Sequence, residues 1–213
     1  MPHRFCRSLV AAAFVLVAAS PAVAANKVVD ASKAFGHLDA YLKLPAAERS
    51  HFTMAFYFHV GPSPLTAPIW LVEGDRKTPI PLRADGKVLR LPTLAQLGAA
   101  KVEVGVDAAT KLGASIGLEP LIAPSTDMDA RELAAAVAQA ARGAKQIAGV
   151  MAFAVPAPKS VVFVGATAGE VEFADGRRAA LPVIKGAPAY DPTALPNAKR
   201  IHLAKLPSKL DID

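Results

Sequence analysis

Residues 51–60 read HFTMAFYFHV. Phe52, Met54, Phe56, Phe58 and Val60 alternate with Thr53, Ala55, Tyr57 and His59, so an extended backbone puts every large apolar side chain on one face. Such a segment has to lie in a sheet with a core on one side and a more polar surface on the other. The alternation recurs in Met151, Phe153 and Val155. Two shorter runs, IWLV (69–72) and VVFV (161–164), each follow a proline loop, GPSPLTAP (61–68) or PAPK (156–159). Their β-branched and aromatic content predicts strands buried on both faces.

The chain repeats itself. ADGKVLRLP (84–92) is answered by ADGRRAALP (174–182), Met54-Ala55-Phe56 by Met151-Ala152-Phe153, and Ala100-Lys101 by Ala198-Lys199. The order is the same in both halves, while the spacings differ by a few residues. Each set is preceded by helical periodicity: Ala31, Phe35, Leu38 and Leu42 in the first half, and Leu133, Val137, Ala140, Ala144 and Ile147 in the second. Asp129 and Glu132 mark the start of the second helix and Gly149 its end. The predicted fold is therefore α+β with an internal duplication, each unit being one helix followed by about five short, mostly antiparallel strands. The expected units are residues 25–106 and 127–213, joined by a connecting segment over 107–126 that Pro120 and Pro124 keep from being helical. The junction, around residues 100–128, is the expected place for function.

Asp-Gly between extended runs signals a hairpin. A two-residue turn at Asp85-Gly86 pairs Arg83 with Val88, Leu82 with Leu89 and Ile80 with Leu91, which puts the apolar side chains on one face. The same register in the second copy pairs Phe173 with Arg178 and Glu170 with Leu181, leaving Val171 and Phe173 out of phase by one residue. Either that loop is longer and bulged or the copies have diverged. The basic residue after each glycine, Lys87 or Arg177, is expected to face solvent.

Residues 1–24 carry Arg4 and Arg7, an apolar run from Leu9 to Ala19 and an Ala22-Val23-Ala24 cleavage pattern, the marks of a secretory leader. Cleavage after Ala24 predicts an exported, periplasmic protein with no transmembrane segment. The only cysteine, Cys6, lies in the leader, so the rest of the chain relies on its core rather than on disulfides. The formal charge of +6 suggests no partner by itself. Export argues against nucleic acid, and the late basic residues read as a solvated face.

Several patterns invite a catalytic reading. GASIG (113–117) is a literal G-x-S-x-G, and Ser115, Asp191 and His202 follow the chain order of an α/β-hydrolase triad. The nucleophile elbow of that fold needs a helix starting at the serine, whereas IGLEPLIAP follows Ser115, with Pro120 close behind. Glu170 and Glu172 share a strand face about 6.6 Å apart, near the spacing of inverting glycosidases, but lack an aromatic cleft. His51 and His59 lie about 26 Å apart on one extended strand, and no zinc-type histidine spacing occurs. No P-loop or dinucleotide fingerprint is present, and no metal or cofactor is expected. Tyr57 and His59, on the polar strand face, are the candidate ligand-binding residues. The expectation is a non-enzymatic exported protein binding a small apolar ligand between its units, or an envelope partner. The alternatives are a serine hydrolase of atypical layout using Ser115, and an accessory subunit of an envelope complex.

Overall fold

The computed structural model describes residues 25–149 and 156–213. The expected leader over 1–24, and Met151, Phe153 and Val155 of the second alternation, lie outside the described residues. The first half runs β1 (Asn26–Asp30), α1 (Ala31–Ala34), α2 (Leu38–Lys43), a 3₁₀ turn (Ala46–Arg49), β2 (Phe52–Val60) and β3 (Ser63–Pro64). It continues with β4 (Ile69–Glu73), β5 (Arg76–Ile80), α3 (Leu94–Ala99), β6 (Lys101–Asp107) and β7 (Leu112–Pro120). The second half runs β8 (Asp127–Asp129), α4 (Ala130–Ala148), β9 (Val161–Val164), β10 (Gly169–Phe173) and β11 (Arg178–Ala180). It ends with β12 (Val183–Ile184), β13 (Ala187–Tyr190), β14 (Ala198–Leu203) and β15 (Lys209–Ile212).

The fold is mixed α+β and mostly sheet, with every strand pairing antiparallel. The strands form two four-stranded sheets, ordered β1-β6-β4-β5 and β8-β14-β10-β11, and a seven-stranded sheet ordered β12-β13-β9-β15-β7-β2-β3, called the central sheet below. The two halves meet inside that central sheet, where β15 pairs with β7 and Ile212 stands opposite Leu118. One continuous apolar core runs from Ala31 to Ile212 through both halves. The segment expected to be a connector thus contains β7, a nine-residue strand in the middle of the central sheet. Its alternation is masked in sequence because one face carries glycines, a serine and a glutamate.

Predicted and observed helices agree best at α4. Asp129 accepts from the Arg131 amide at 2.7 Å, and Gly149 at the far end takes a positive φ of 54°. Leu133, Val137 and Ala140 face the core, and the helix packs against β2, β7, β8 and β14. Gln139 is buried yet satisfied: its carbonyl accepts from His51 N at 2.6 Å, and its amide donates to Ala47 O at 2.7 Å and Ser50 Oγ at 3.1 Å. The single helix expected over Ala31–Leu42 is instead broken after Ala34, with His37 at φ 66°. The break turns Phe35 inward, where its ring meets Phe56 and Phe58 edge-to-face at 5.2 and 5.5 Å. Burying that ring outweighs the small propensity for continuing through Gly36.

Both Asp-Gly hairpins have a three-residue loop: this replaces the two-residue turn expected at Asp85-Gly86 and is the longer, bulged alternative of the second copy. Arg83 N donates to Lys87 O at 2.8 Å and Gly86 N to Arg83 O at 2.9 Å; Phe173 with Arg177 and Gly176 with Phe173 repeat this at 2.8 and 3.0 Å. Asp85 and Asp175 each accept from the amide two residues on, at 3.2 and 3.0 Å, and Gly86 and Gly176 close the bulge at φ 81° and 85°. Leu82 therefore faces Val88, and Glu172 faces Arg178, which returns Val171 and Phe173 to the buried side. The one-residue mismatch of the second copy is the bulge itself.

The two motifs occupy different places in the architecture. ADGR is the turn between β10 and β11. ADGK lies against the outer edge of β2, where Phe58 N donates to Gly86 O at 3.0 Å and Val88 N to Phe56 O at 2.9 Å. Likewise IWLV is in β4 of a small sheet, whereas VVFV is β9 of the central one. Trp70 is not buried on both sides: it is half-exposed, with the Lys77 ammonium 4.1 Å from its ring.

The contrast yields a test. An added Cβ at Gly86 collides with the Phe58 carbonyl, whereas at Gly176 it meets open space. Gly176→Ala should cost about 1 kcal/mol, the strain of a left-handed non-glycine residue. Gly86→Ala should cost about 2 kcal/mol more, because β2 must shift as well. Urea unfolding midpoints check the ranking.

Candidate functional site

The face of β2 opposite the core sets Thr53, Ala55, Tyr57 and His59 across from Glu119, Gly117, Ser115 and Gly113 of β7. This pairing accounts for the G-x-S-x-G motif without a nucleophile. A Cβ at Gly113 would collide with the His59 ring; one at Gly117 would sit 3.5 Å from the Tyr57 ring and 3.4 Å from Asp211 Oδ1. The glycines are seats for rings reaching over from the neighbouring strand.

Tyr57 lies across Gly117 and donates its hydroxyl to Glu119 Oε1, while the Lys87 ammonium donates to Oε2 of the same carboxylate. Lys87 reaches Glu119 because the hairpin docks on β2 with Lys87 opposite Tyr57. The expectation that Lys87 faces solvent is thereby corrected: its side chain is 19% exposed and that of Glu119 11%. Arg177 does face outward, 70% exposed. From β15, Lys209 crosses the seam, its ammonium 4.6 Å from the Tyr57 ring centre and 3.5 Å from the hydroxyl. Asp211 lies 3.7 Å from Lys209, and Arg83 donates to Asp85 at 2.8 Å on the rim.

These positions set the electrostatics. Burial, reinforced by Glu119, pushes the Tyr57 hydroxyl well above its ordinary value, so it remains a neutral donor. Burial also raises the Asp211 carboxyl; Glu119 and Asp213 add to this, and Lys209 and Lys185 oppose it. The Arg83 hydrogen bond holds Asp85 at about 2. The arrangement is a charge-balanced hydrogen-bond network.

The residues of the hydrolase order are not brought together. Ser115 lies in β7 opposite Tyr57, followed by strand rather than helix. Asp191 Oδ1 accepts from Thr193 N at 2.8 Å, Thr193 Oγ1 at 2.6 Å and Ala194 N at 3.3 Å. His202, in β14 of a different sheet, sits between Glu172 at 3.1 Å and Asp127 at 3.6 Å. Glu172 also meets Arg178 and Lys199, so the Glu170–Glu172 face is a surface ion-pair cluster. Of the two candidate binding residues, Tyr57 joins the network, while His59 Nδ1 meets Gly61 O at 2.9 Å. Among the described residues, no group of three or more His, Cys, Asp or Glu side chains is arranged to hold a metal. Nor is any helix among them long and apolar enough to cross a membrane.

On the other face of β7, Ile116 and Leu118 join His37, Met54, Ala144 and Ile147 around an almost wholly apolar groove of about 420 Å³. Sequence reasoning missed Lys87, Glu119, Lys209 and Asp211. The one local signal was a lone acid, Glu119, in an uncharged strand. No family model matches the chain, and neither a curated protein nor a solved structure matches it.

Asp211 provides a signed test. Its folded-state pKa is raised, so its contribution to stability is full below the unfolded pKa and is lost as pH rises through the folded one. Asp211→Asn should unfold at higher urea than wild type at pH 7, with the gap closing as pH falls toward 4. A variant weaker than wild type at pH 7 contradicts this.

Proposed function

We propose that the chain is an exported, periplasmic, non-enzymatic protein that binds a small, largely apolar ligand in the groove between α4 and β7. The observation carrying this reading is the lining of the groove. His37 and Met54 come from residues 25–106, Ile116 and Leu118 from strand β7 in the connecting segment, and Ala144, Ile147 and Ala148 from residues 127–213, and nearly every exposed atom is apolar. Its volume of about 420 Å³ falls within the roughly 300–1,000 Å³ typical of small-molecule sites. Such a concavity between two halves, built mostly of aliphatic carbon, favours an apolar guest over a charged one.

We further propose that the halves, residues 25–106 and 127–213, are related units. Several features support this. The small sheets share an order, since β1-β6-β4-β5 maps onto β8-β14-β10-β11 position by position, and β7 and β15 each follow the strand paired with the leading one. The turns through Gly86 and Gly186, both at φ near 80°, each deliver a strand to an outer neighbour of the central sheet, beside β2 and β9 respectively. Pro92-Thr93 and Pro192-Thr193 then precede β6 and β14. In this alignment ADGK and ADGR are not counterparts, and the repeated motif is one turn type used in two places.

Filling the groove tests the ligand reading. The purified protein should bind the neutral fluorophore N-phenyl-1-naphthylamine, and Ala144→Phe should weaken binding by about tenfold or more with little change in unfolding midpoint. Undiminished binding by a folded Ala144→Phe variant would refute the assignment.

A further inference from the structure

A second concavity lies away from both the groove and the seam, at the edge of the first small sheet. Its volume is about 290 Å³, and Arg76, Thr78, Arg90, Thr93 and Gln96 line it together with apolar side chains that include Leu71. The register explains the placement. On β5, Ile80, Thr78 and Arg76 stand opposite Ile69, Leu71 and Glu73 of β4, so all share the face of Leu71, which is buried in the core. Ile80 closes the core, and Arg76, at the far end of the row, comes out at its margin. The chain then returns through Arg90 and Pro92 into α3, bringing a second guanidinium to the same concavity.

What marks these two arginines is that they share one concavity with no carboxylate in its lining. Lys33, Lys43, Lys77, Arg83, Lys87, Arg177, Arg178, Lys185 and Arg200 each meet a carboxylate within ion-pairing distance. Among the described residues, neither Arg76 nor Arg90 does. Arg90 spends one N–H on Pro79 O at 2.7 Å, which anchors it beside β5. The acid facing Arg76 is Glu73, and its Oε2 accepts from Gln96 Nε2 at 3.1 Å. No carboxylate lines the concavity itself. Thr93 accepts from Gln96 N at 3.3 Å, which leaves its own O–H to donate.

We propose that this concavity is a binding site for a tetrahedral oxyanion, a phosphate group free or carried on a larger envelope molecule. Two guanidinium forks match phosphate oxygens in charge and in paired-donor geometry. The threonine hydroxyls supply further neutral donors. Two cations facing one concavity whose lining holds no carboxylate would both attract an anion placed between them.

The test uses inorganic phosphate and, separately, phosphatidylglycerol vesicles with the purified protein. Phosphate should raise the thermal midpoint in a concentration-dependent way. Arg76→Ala and Arg90→Ala should each weaken its binding by about tenfold or more, while Arg76→Lys, which keeps the charge and loses the fork, should fall between. Arg178→Ala, on the other small sheet, is the control for nonspecific charge and should leave binding unchanged. Because Arg76 makes no side-chain hydrogen bond among the described residues, its variants leave the fold intact. Loss of free-phosphate binding in the arginine variants supports a small or terminal phosphate. Loss of vesicle sedimentation alone, in the same variants, supports a lipid-borne one. Binding of neither probe, or binding that survives Arg76→Ala combined with Arg90→Ala, overturns the proposal.

Discussion

The pairing of Glu119 with Lys87 and Tyr57 is the constraint around which the central sheet is arranged. A carboxylate in the middle of a sheet loses most of its hydration, so it has to be neutralised and hydrogen-bonded where it stands. Both Glu119 oxygens are used, one by each partner. Meeting that need brings the Asp-Gly hairpin onto the open edge of β2, because Lys87 reaches the carboxylate only from there. It also requires Tyr57 to lie flat across β7, which Gly117 permits, and it presents the ring to Lys209 across the seam. An exposed ion pair contributes little to stability, and even a buried one is a modest net gain. Removing one member of a buried pair is what costs heavily.

The elements visible from sequence are those whose neighbours are close in the chain or whose pattern is set by a single core. The alternation of residues 52–60 marked β2, and Asp129 with Gly149 bracketed α4, because strand periodicity and capping are local. The break at Gly36-His37 could not be read from periodicity, since it depends on the slot between Phe56 and Phe58 that receives Phe35. Hairpin register failed for a related reason. Asp-Gly suits a two-residue turn and a bulged three-residue loop alike, and the choice rests on the aspartate side chain capturing the next amide but one. Lys87 and Arg177 occupy the same place in the same motif, yet one is enclosed and the other lies exposed beside its own Asp175. What separates them is a carboxylate thirty-odd positions away, across a strand pairing that no local pattern encodes.

The candidate site was legible only in part. Tyr57 stood out as a polar-face aromatic, but its partners Glu119, Lys87 and Lys209 come from three separate stretches of chain. GASIG drew attention as a nucleophile elbow, whereas Ser115 lies within strand β7 with strand rather than helix following it. The glycines are there for the rings of His59 and Tyr57, and the serine lies between them on the exposed face. The same strand serves both faces: Ile116 and Leu118 line the apolar groove beneath α4, while Gly117 and Glu119 hold the polar network above. With Leu118 opposite Ile212, β7 is also where the two halves join.

If this account is right, Lys87 and Glu119 are coupled strongly rather than merely adjacent. A double-mutant cycle with Lys87→Met, Glu119→Gln and the pair, followed by urea unfolding at pH 7, measures that coupling directly. The predicted interaction energy lies between about 1.5 and 3 kcal/mol, with the double variant less damaged than the sum of the singles. A coupling below about 0.5 kcal/mol, the value of an ordinary surface pair, would contradict the claim that this buried carboxylate organises the sheet.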